Sequence, residues 1–215
     1  MTRTTLPAAV ALAASTALLL TACGGGGSDS SDKIQPSGTG TPSETATPSA
    51  TKAAVQRPVI SLPAGAKNVF ENQQSGDPKK DAVLADNAQW VNSMDEAILK
   101  GSSHSTAIGF YSTDKGLEAA VSYVQGYLNK NNTWIGITRF FDRKVTFGND
   151  GSASLIYCSD ESKAFLKNRK TGKVDNTPTT ADSYVLYNTR LVKSPQGVWQ
   201  TVAVVSDRGA KQCQP

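Results

Sequence analysis

Histidine is almost missing from this chain: His104 is the single one in 215 residues. A Ser-His-Asp triad, a Cys-His pair and a histidine metal site all need an imidazole in a defined setting. His104 lies in Gly101-Ser102-Ser103-His104-Ser105, a polar stretch read as a solvated loop, so no catalytic residue is assigned. Cysteine is nearly as scarce, with three, too few for a thiolate cluster, and no metal or cofactor is expected. The chain has no Gly-x-Ser-x-Gly elbow and no glycine-rich phosphate loop set between a strand and a helix. Charge of one sign is never concentrated: 22 Lys and Arg face 18 Asp and Glu, with no run of five or six like charges. Nucleic acid is therefore not an expected partner. The nearest thing to a basic cluster is Lys167-Asn168-Arg169-Lys170 with Lys173. It fits a solvated loop, or contact with anionic lipid heads or wall polymers. Asp95-Glu96 and Asp160-Glu161 are adjacent carboxylates. Neighbours on a helix or strand point apart, so neither pair makes a shared acid–base site by itself.

Long apolar runs are also absent, except one. Arg3 precedes Leu6 to Leu20, which closes in Leu20-Thr21-Ala22-Cys23 and is followed by Gly24 to Gly27. The run is shorter than the roughly 20 residues that span a bilayer, and a charged start with small residues before the cut marks a signal peptide. Leu-Thr-Ala-Cys is the order that bacterial lipoprotein processing recognises, because thioether formation needs the thiol. Residues 1–22 are therefore expected to be removed. Cys23 is expected to carry diacylglycerol, whose two chains hold firmly where one binds marginally. The expected location is the outer, extracytoplasmic face of the cell membrane. Residues 23–57 are rich in Gly, Ser, Thr, Pro and Ala and cannot bury enough surface to order themselves. They read as a linker that gives reach. A lead-in segment, 58–80, precedes a single domain, 81–215.

With Cys23 lipidated, Cys158 and Cys213 are the only thiols left. An exported compartment permits a disulfide, and closing a loop of that length contributes about 4 kcal/mol in the chain-entropy account.

Within the domain, Val83, Leu84, Asn87, Trp90, Val91, Met94 and Ile98 recur at three- and four-residue spacing, one face of a helix. Asp77 or Asp81 could cap it, with Pro78 in its first turn and Gly101 ending it. Leu117, Ala120, Val121, Val124 and Leu128 predict a second helix over 114–129. After Thr133 the period shortens towards two. Strands are expected over 134–138, 142–147, 152–158, 184–193 and 198–206, with a hairpin turn at Asn149-Asp150-Gly151 and a polar excursion over 163–180. In the last strand Trp199, Thr201, Ala203 and Val205 should share a face. Helices followed by an antiparallel meander predict an α+β domain, with N-terminal helices packed on one face of a strongly curved antiparallel sheet.

This order resembles the actinobacterial lipoproteins whose domain is nuclear-transport-factor-2-like. The resemblance rests on Ala82-Val83-Leu84 with Trp90 and Ala97, on Tyr157-Cys158-Ser159-Asp160, on Lys170-Thr171-Gly172-Lys173, and on Gly197-Val198-Trp199 ahead of Cys213. It implies a cystatin-like or nuclear-transport-factor-2-like cone, open at one end, with Cys158 and Cys213 close together. It implies little chemistry, because the wider fold serves isomerases, dehydratases and pure binding proteins alike.

Two functions follow. The first is a non-catalytic binding or assembly module that contacts an envelope protein, a wall polymer or a small apolar ligand. The second is a cone-pocket enzyme, isomerase- or dehydratase-like, acting on a small hydrophobic substrate. It would use Asp142 or Asp160 as base with Tyr111, Tyr157 or Tyr187 as donor. Trp90, Trp134, Tyr157, Tyr187 and Trp199 are the candidate pocket lining; core packing is the competing role for the tryptophans. A buried carboxylate of raised pKa in the pocket would favour the enzyme, and a filled or wholly apolar cone the module.

Overall fold

The computed structural model describes residues 55–215. Cys23, the signal peptide and residues 23–54 of the linker lie outside the described residues. The described residues form one compact unit. Among the described residues no helix is long and apolar enough to cross a membrane.

The elements run β1 (Ala66–Phe70), α1 (Pro78–Lys100), α2 (Thr106–Tyr111), α3 (Asp114–Asn129), β2 (Asn132–Phe147), β3 (Ala153–Asn168), β4 (Val174–Asp175), β5 (Tyr184–Lys193) and β6 (Trp199–Arg208). The sheet order is β1-β2-β3-β5-β6, with the short β4 beside β3. The fold is α+β, with the helices packed on a curled sheet. The meander β2-β3-β5-β6 is antiparallel as expected. In the lead-in, where the sequence pattern assigned no element, β1 joins the edge of β2 in parallel.

Asp77 caps α1 through its side chain, which accepts from the Lys79 and Lys80 amides, and Gly101 closes the helix at φ 76°. The apolar stripe of α1 is buried as the spacing requires. So are Asp86, Asp95 and Glu96, on parts of the helix that read as solvent-facing. The lead-in, together with Arg57 at the expected end of the linker, covers them and supplies partners. Arg57 forms an ion pair with Asp86, the Ser61 amide donates to Glu96 at 2.9 Å, and Asn68 of β1 donates to Asp95 at 2.6 Å. A short helix, α2, follows the His104 turn, where the sequence pattern marked loop only. His104 itself stays exposed there.

β2 and β3 are 16 residues each, about 50 Å if straight, longer than a domain of this size is wide. Two irregularities bend β2, between Ile137 and Arg139 and between Phe141 and Lys144. The second contains Asp142 at φ 51°. The expected strands 134–138 and 142–147 are thus one strand, kinked by bulges, as such extra residues do. Arg143, in the second kink, is turned inward. It donates to the Leu84 carbonyl at 2.7 Å and to Asn87 at 3.2 Å, tying the sheet to α1. β3 likewise continues to Asn168, past its expected end at Cys158. Its second half borders open space, so apolar alternation fades although pairing with β2 persists.

A further bulge changes the last strand. Ala203 pairs with Arg190 but Thr201 pairs with Leu191, leaving Val202 as an extra residue. The side-chain phase inverts there. Trp199 and Thr201 face inward, whereas further along it is Val204, Ser206 and Arg208 that do so. Val205 is left outside, 71 % exposed. The expected common face of Trp199, Thr201, Ala203 and Val205 does not survive this shift.

Cys158 faces the convex side of the sheet, opposite Tyr157. It is joined to Cys213 with a Cα–Cα distance of 5.5 Å. Tyr184, Ala210, Phe141 and Leu186 pack around the bridge in a small second cluster. The disulfide staples the C-terminal turn to the outer face.

Candidate functional site

Between the sheet and the helices lies a cavity of about 1040 Å³ that opens at one end. Its position follows from register. Along the inner face, Phe70, Phe140, Tyr157 and Tyr187 come from neighbouring strands β1, β2, β3 and β5. Phe70 directly opposes Phe140 and Tyr157 directly opposes Tyr187, while Tyr157 is the diagonal neighbour of Phe140, which pairs with Ser159; aromatic rings reach across both kinds of pair, and these form a ladder. Phe70 stacks on Phe140 at 4.7 Å, Phe140 meets Tyr157 edge-on at 6.1 Å, and Tyr157 stacks on Tyr187 at 5.0 Å. The helical wall is Trp90, Val91, Met94 and Asp95 of α1, with Ala119, Ala120, Tyr123 and Tyr127 of α3. Trp134 closes the side at the start of β2. The segment after β4 contributes Thr177, Pro178 and Thr180 to the rim.

Of the expected lining, Trp90, Trp134, Tyr157 and Tyr187 are in the cavity wall. Trp199 is not. It starts β6 ahead of the bulge, at the packed end. Its ring lies 5.8 Å from that of Phe147, and its amide donates to the buried Asp86 at 2.8 Å. The carboxylates proposed as bases are also misplaced. Asp142 is exposed in the β2 kink. Asp160 faces outward next to Cys158, within 3.5 Å of Arg139. Tyr111 is buried in α2, away from the cavity.

The carboxylate that does enter the cavity is Asp95, only 7 % exposed. Adjacent acids do point apart, and that is what separates this pair. Glu96 turns away to Lys100, at 2.7 Å, and Asp95 turns in. Burial pushes the Asp95 carboxyl up to about 7. The Asn68 amide and the Trp134 indole hold it down, and the charge of Glu161 adds to the rise. The Trp134 N–H is directed at this carboxylate but falls outside hydrogen-bond geometry, so its help is that of a dipole only. Among the described residues no cation pairs with Asp95, whereas the buried Asp86 has Arg57. The missed signal was positional. Asp95 follows Met94 and lies one turn beyond Val91, so it borders the apolar stripe, yet nothing in the pattern told that a cavity and not solvent lay there.

The polar rim is Glu161 and Arg208, paired at 2.9 Å. Arg208 also donates to the Asp182 carbonyl at 2.6 Å. Tyr123 and Tyr127 sit edge to face at 5.3 Å. Burial drives the Tyr123 phenol well above its ordinary pKa and raises Tyr127 and Tyr187 as well. Tyr123 is nevertheless 44 % exposed. The two facts agree if that exposed area is cavity surface, ringed by protein but open to water. Among the described residues no group of His, Cys, Asp and Glu is placed to hold a metal ion.

No protein-family model matches the chain, and no curated protein matches it in sequence. Solved structures resemble it in fold. A ketosteroid isomerase-like protein from Erwinia carotovora atroseptica is 14 % identical, with a TM-score of 0.43 over 61 % of this chain and 97 % of its own. Aln2 from a Streptomyces species is 14 % identical, with a TM-score of 0.41 over 61 % and 92 %. The intermembrane space region of the chloroplast protein ARC6 is 14 % identical, with a TM-score of 0.35 over 60 % and 97 %. These likenesses concern fold alone, and no residue role is taken from them.

Proposed function

We propose that the protein is a lipoprotein, anchored through Cys23 on the outer face of the cell membrane, whose domain binds a small apolar molecule in its cavity. The observation that carries the reading is the cavity: about 1040 Å³, lined by aromatic and aliphatic side chains together with polar ones, Asp95, Glu161 and Arg208 among them. Concave, mostly apolar sites with a few placed polar groups are where small molecules bind. The cone is neither filled nor wholly apolar, the two states expected to favour a non-catalytic module, and the buried Asp95 in its wall supports the catalytic reading taken up below. Native mass spectrometry of the undenatured protein from its own source tests this. A reproducible adduct lost on denaturation is the expected result; a bare protein mass under every mild condition overturns it. The anchor is tested apart from the pocket. Inhibiting lipoprotein signal peptidase should leave the longer precursor, and no change in size refutes the assignment of Cys23.

A second reading, proton transfer on the bound molecule, is favoured by one observation, the Asp95 carboxyl held at about 7 by burial. A general base works best with a pKa near the working pH. Asp95 would take a proton from the carbon beside a carbonyl and return it to the same or a neighbouring carbon, while a Tyr phenol, kept protonated by burial, donates to the oxygen. Deuterium uptake from heavy water into a bound ketone, lost in Asp95→Asn, is the expected outcome. No uptake above buffer leaves binding as the function.

A further inference from the structure

Taking the cavity as the ligand pocket, we infer that its ligand carries a hydrogen-bond-donating head, a protonated amine in the sharpest case, seated on Asp95, and that fatty acids are excluded. The argument is one of charge and commitment. Among the described residues three acidic side chains, Asp95, Glu161 and Asp182, face the cavity or its rim, against one basic one, Arg208. Arg208 is already occupied by Glu161 and by the Asp182 carbonyl. An incoming carboxylate would therefore find no free cation. It would also lie near Asp95 in a setting where charge is poorly screened.

A donor head meets the opposite situation. Asp95 is buried, receives the Asn68 amide on Oδ2, and has no cationic partner among the described residues. Buried charges are ordinarily paired, and a charge-assisted hydrogen bond from the ligand would supply the missing partner. The surroundings suit a cation as well: Trp90, Trp134, Tyr123 and Tyr187 present ring surface in the same cavity, and aromatic faces attract ammonium groups. The apolar body of the ligand would then lie along the Tyr157–Tyr187 stack. This goes beyond binding of an apolar molecule, because it specifies which end of the molecule is read and by which residue.

The test uses residues 55–215, the compact unit that contains the whole core and sheet, with three probes of one chain length: decylamine, decanol and decanoate. Calorimetry at pH 8 should give decylamine at least about tenfold tighter than decanoate, the size of one charge-assisted hydrogen bond, with decanol between them. In Asp95→Asn the advantage of the amine over the alcohol should vanish, while decanol stays within about threefold of its wild-type affinity. Should that variant fold poorly, the wild-type protein answers alone, since the advantage of the amine should shrink as pH falls from 8 to 5 and Asp95 takes up a proton. Equal affinities for all three probes, or an advantage that survives in Asp95→Asn, overturn the inference and leave the pocket standing. If none of the three binds, the pocket reading itself fails and the inference with it.

Discussion

The two ends of the same sheet are built from similar strands and do opposite things. At one end β2 finishes, β3 begins, β5 finishes and β6 begins, and the register brings Phe147, Ala153, Leu191 and Thr201 side by side. Gly116 of α3 lies against this end, with Ile108 and Tyr111 of α2, and all are fully or almost fully buried. At the other end the same strands carry Trp134, Tyr187, Ser206 and Arg208, and the helices offer Trp90, Asp95 and Tyr123. At the packed end Gly116 lets α3 come down onto the Thr201 backbone, with Tyr111 and Trp199 filling the space beside it; at the other end Trp90, Tyr123 and Tyr187 surround the cavity. The difference between core and cavity thus lies in how closely the helices approach the sheet, and the bulge at Val202, which inverts the phase of β6 between the two ends, changes which of its residues face inward. The packed end should determine stability, and the open end should determine what is bound.

The outer face supplies the largest expected effect. Cys213→Ser should lower stability by about 4 kcal/mol, since the bridge closes a loop of 55 positions in the chain-entropy account. It should leave probe affinity nearly unchanged when measured well below the new melting temperature. Denaturant unfolding with and without reductant measures the first, and calorimetry the second. If affinity collapses with the bridge, the division between stability and binding is wrong.

Next comes Gly116→Ala. A Cβ at this position would overlap the Thr201 carbonyl oxygen, which is backbone and cannot swing aside. Overpacking of this kind costs about 3 kcal/mol. Gly126, on the same helix, has open space around it. Gly126→Ala should therefore stabilise slightly through helix propensity, by under about 1 kcal/mol. Equal losses in the two variants would show that α3 does not seat as closely at the packed end as described.

These contrasts also explain which parts of the structure could be read from the sequence. The faces of α1 and α3 were legible because 3.6-residue spacing survives wherever a helix lies on a core. Asp77, Pro78 and Gly101 marked the ends of α1 by their own chemistry. Tyr184–Lys193 was bounded correctly because turn residues flank it. β1 was not legible: Ala66–Phe70 is a short edge segment in parallel pairing, and its partner lies some seventy residues on. Nor were the bulges, since the residue that shifts β6, Val202, looks like any other apolar strand residue. Missing it misplaced Val205. At the site, Trp90, Trp134, Tyr157 and Tyr187 could be picked out as large aromatic residues on inward faces. Asp95 could not, because whether a helix face meets solvent, core or cavity depends on what the rest of the chain lays across from it.

The third effect is smaller and has a sign that depends on pH. The Asp95 carboxyl has a raised pKa in the folded protein, about 7 against an ordinary 3.8. The folded state therefore binds the proton more tightly than the unfolded state. The resulting stability is fully present below about pH 4 and is lost as pH rises through 7. Asp95→Asn removes the titrating group. It should flatten this part of the stability–pH curve and leave the variant more stable than wild type at pH 8 by roughly 2 kcal/mol, once the water admitted by the cavity is allowed for. Thermal melts from pH 4 to 8 decide it. A wild-type curve that rises towards pH 8 would mean that Asp95 has found a cation, and that the open end is less open than its lining indicates.

The smallest expected effect on stability is the sharpest test of the comparison. Tyr123 is a large aromatic residue on α3, one and two turns beyond the buried Gly116 and Ala120. Large aromatic residues truncated in a core cost about 3–5 kcal/mol. Tyr123, however, faces the cavity, with 44 % of its surface exposed and an edge contact to Tyr127 as its main aromatic neighbour. Tyr123→Ala should therefore cost under about 1 kcal/mol, the contact and little else. Its effect should appear in binding instead, as a weaker affinity for decylamine and a faster dissociation, because one wall of the pocket is gone. Leu155→Ala, at the packed end of β3 and fully buried, should do the reverse, with a loss of about 2–5 kcal/mol and no change in affinity while the protein remains folded. A large stability loss in Tyr123→Ala would mean that the cavity is closed in solution around this ring, and that the open end is core after all.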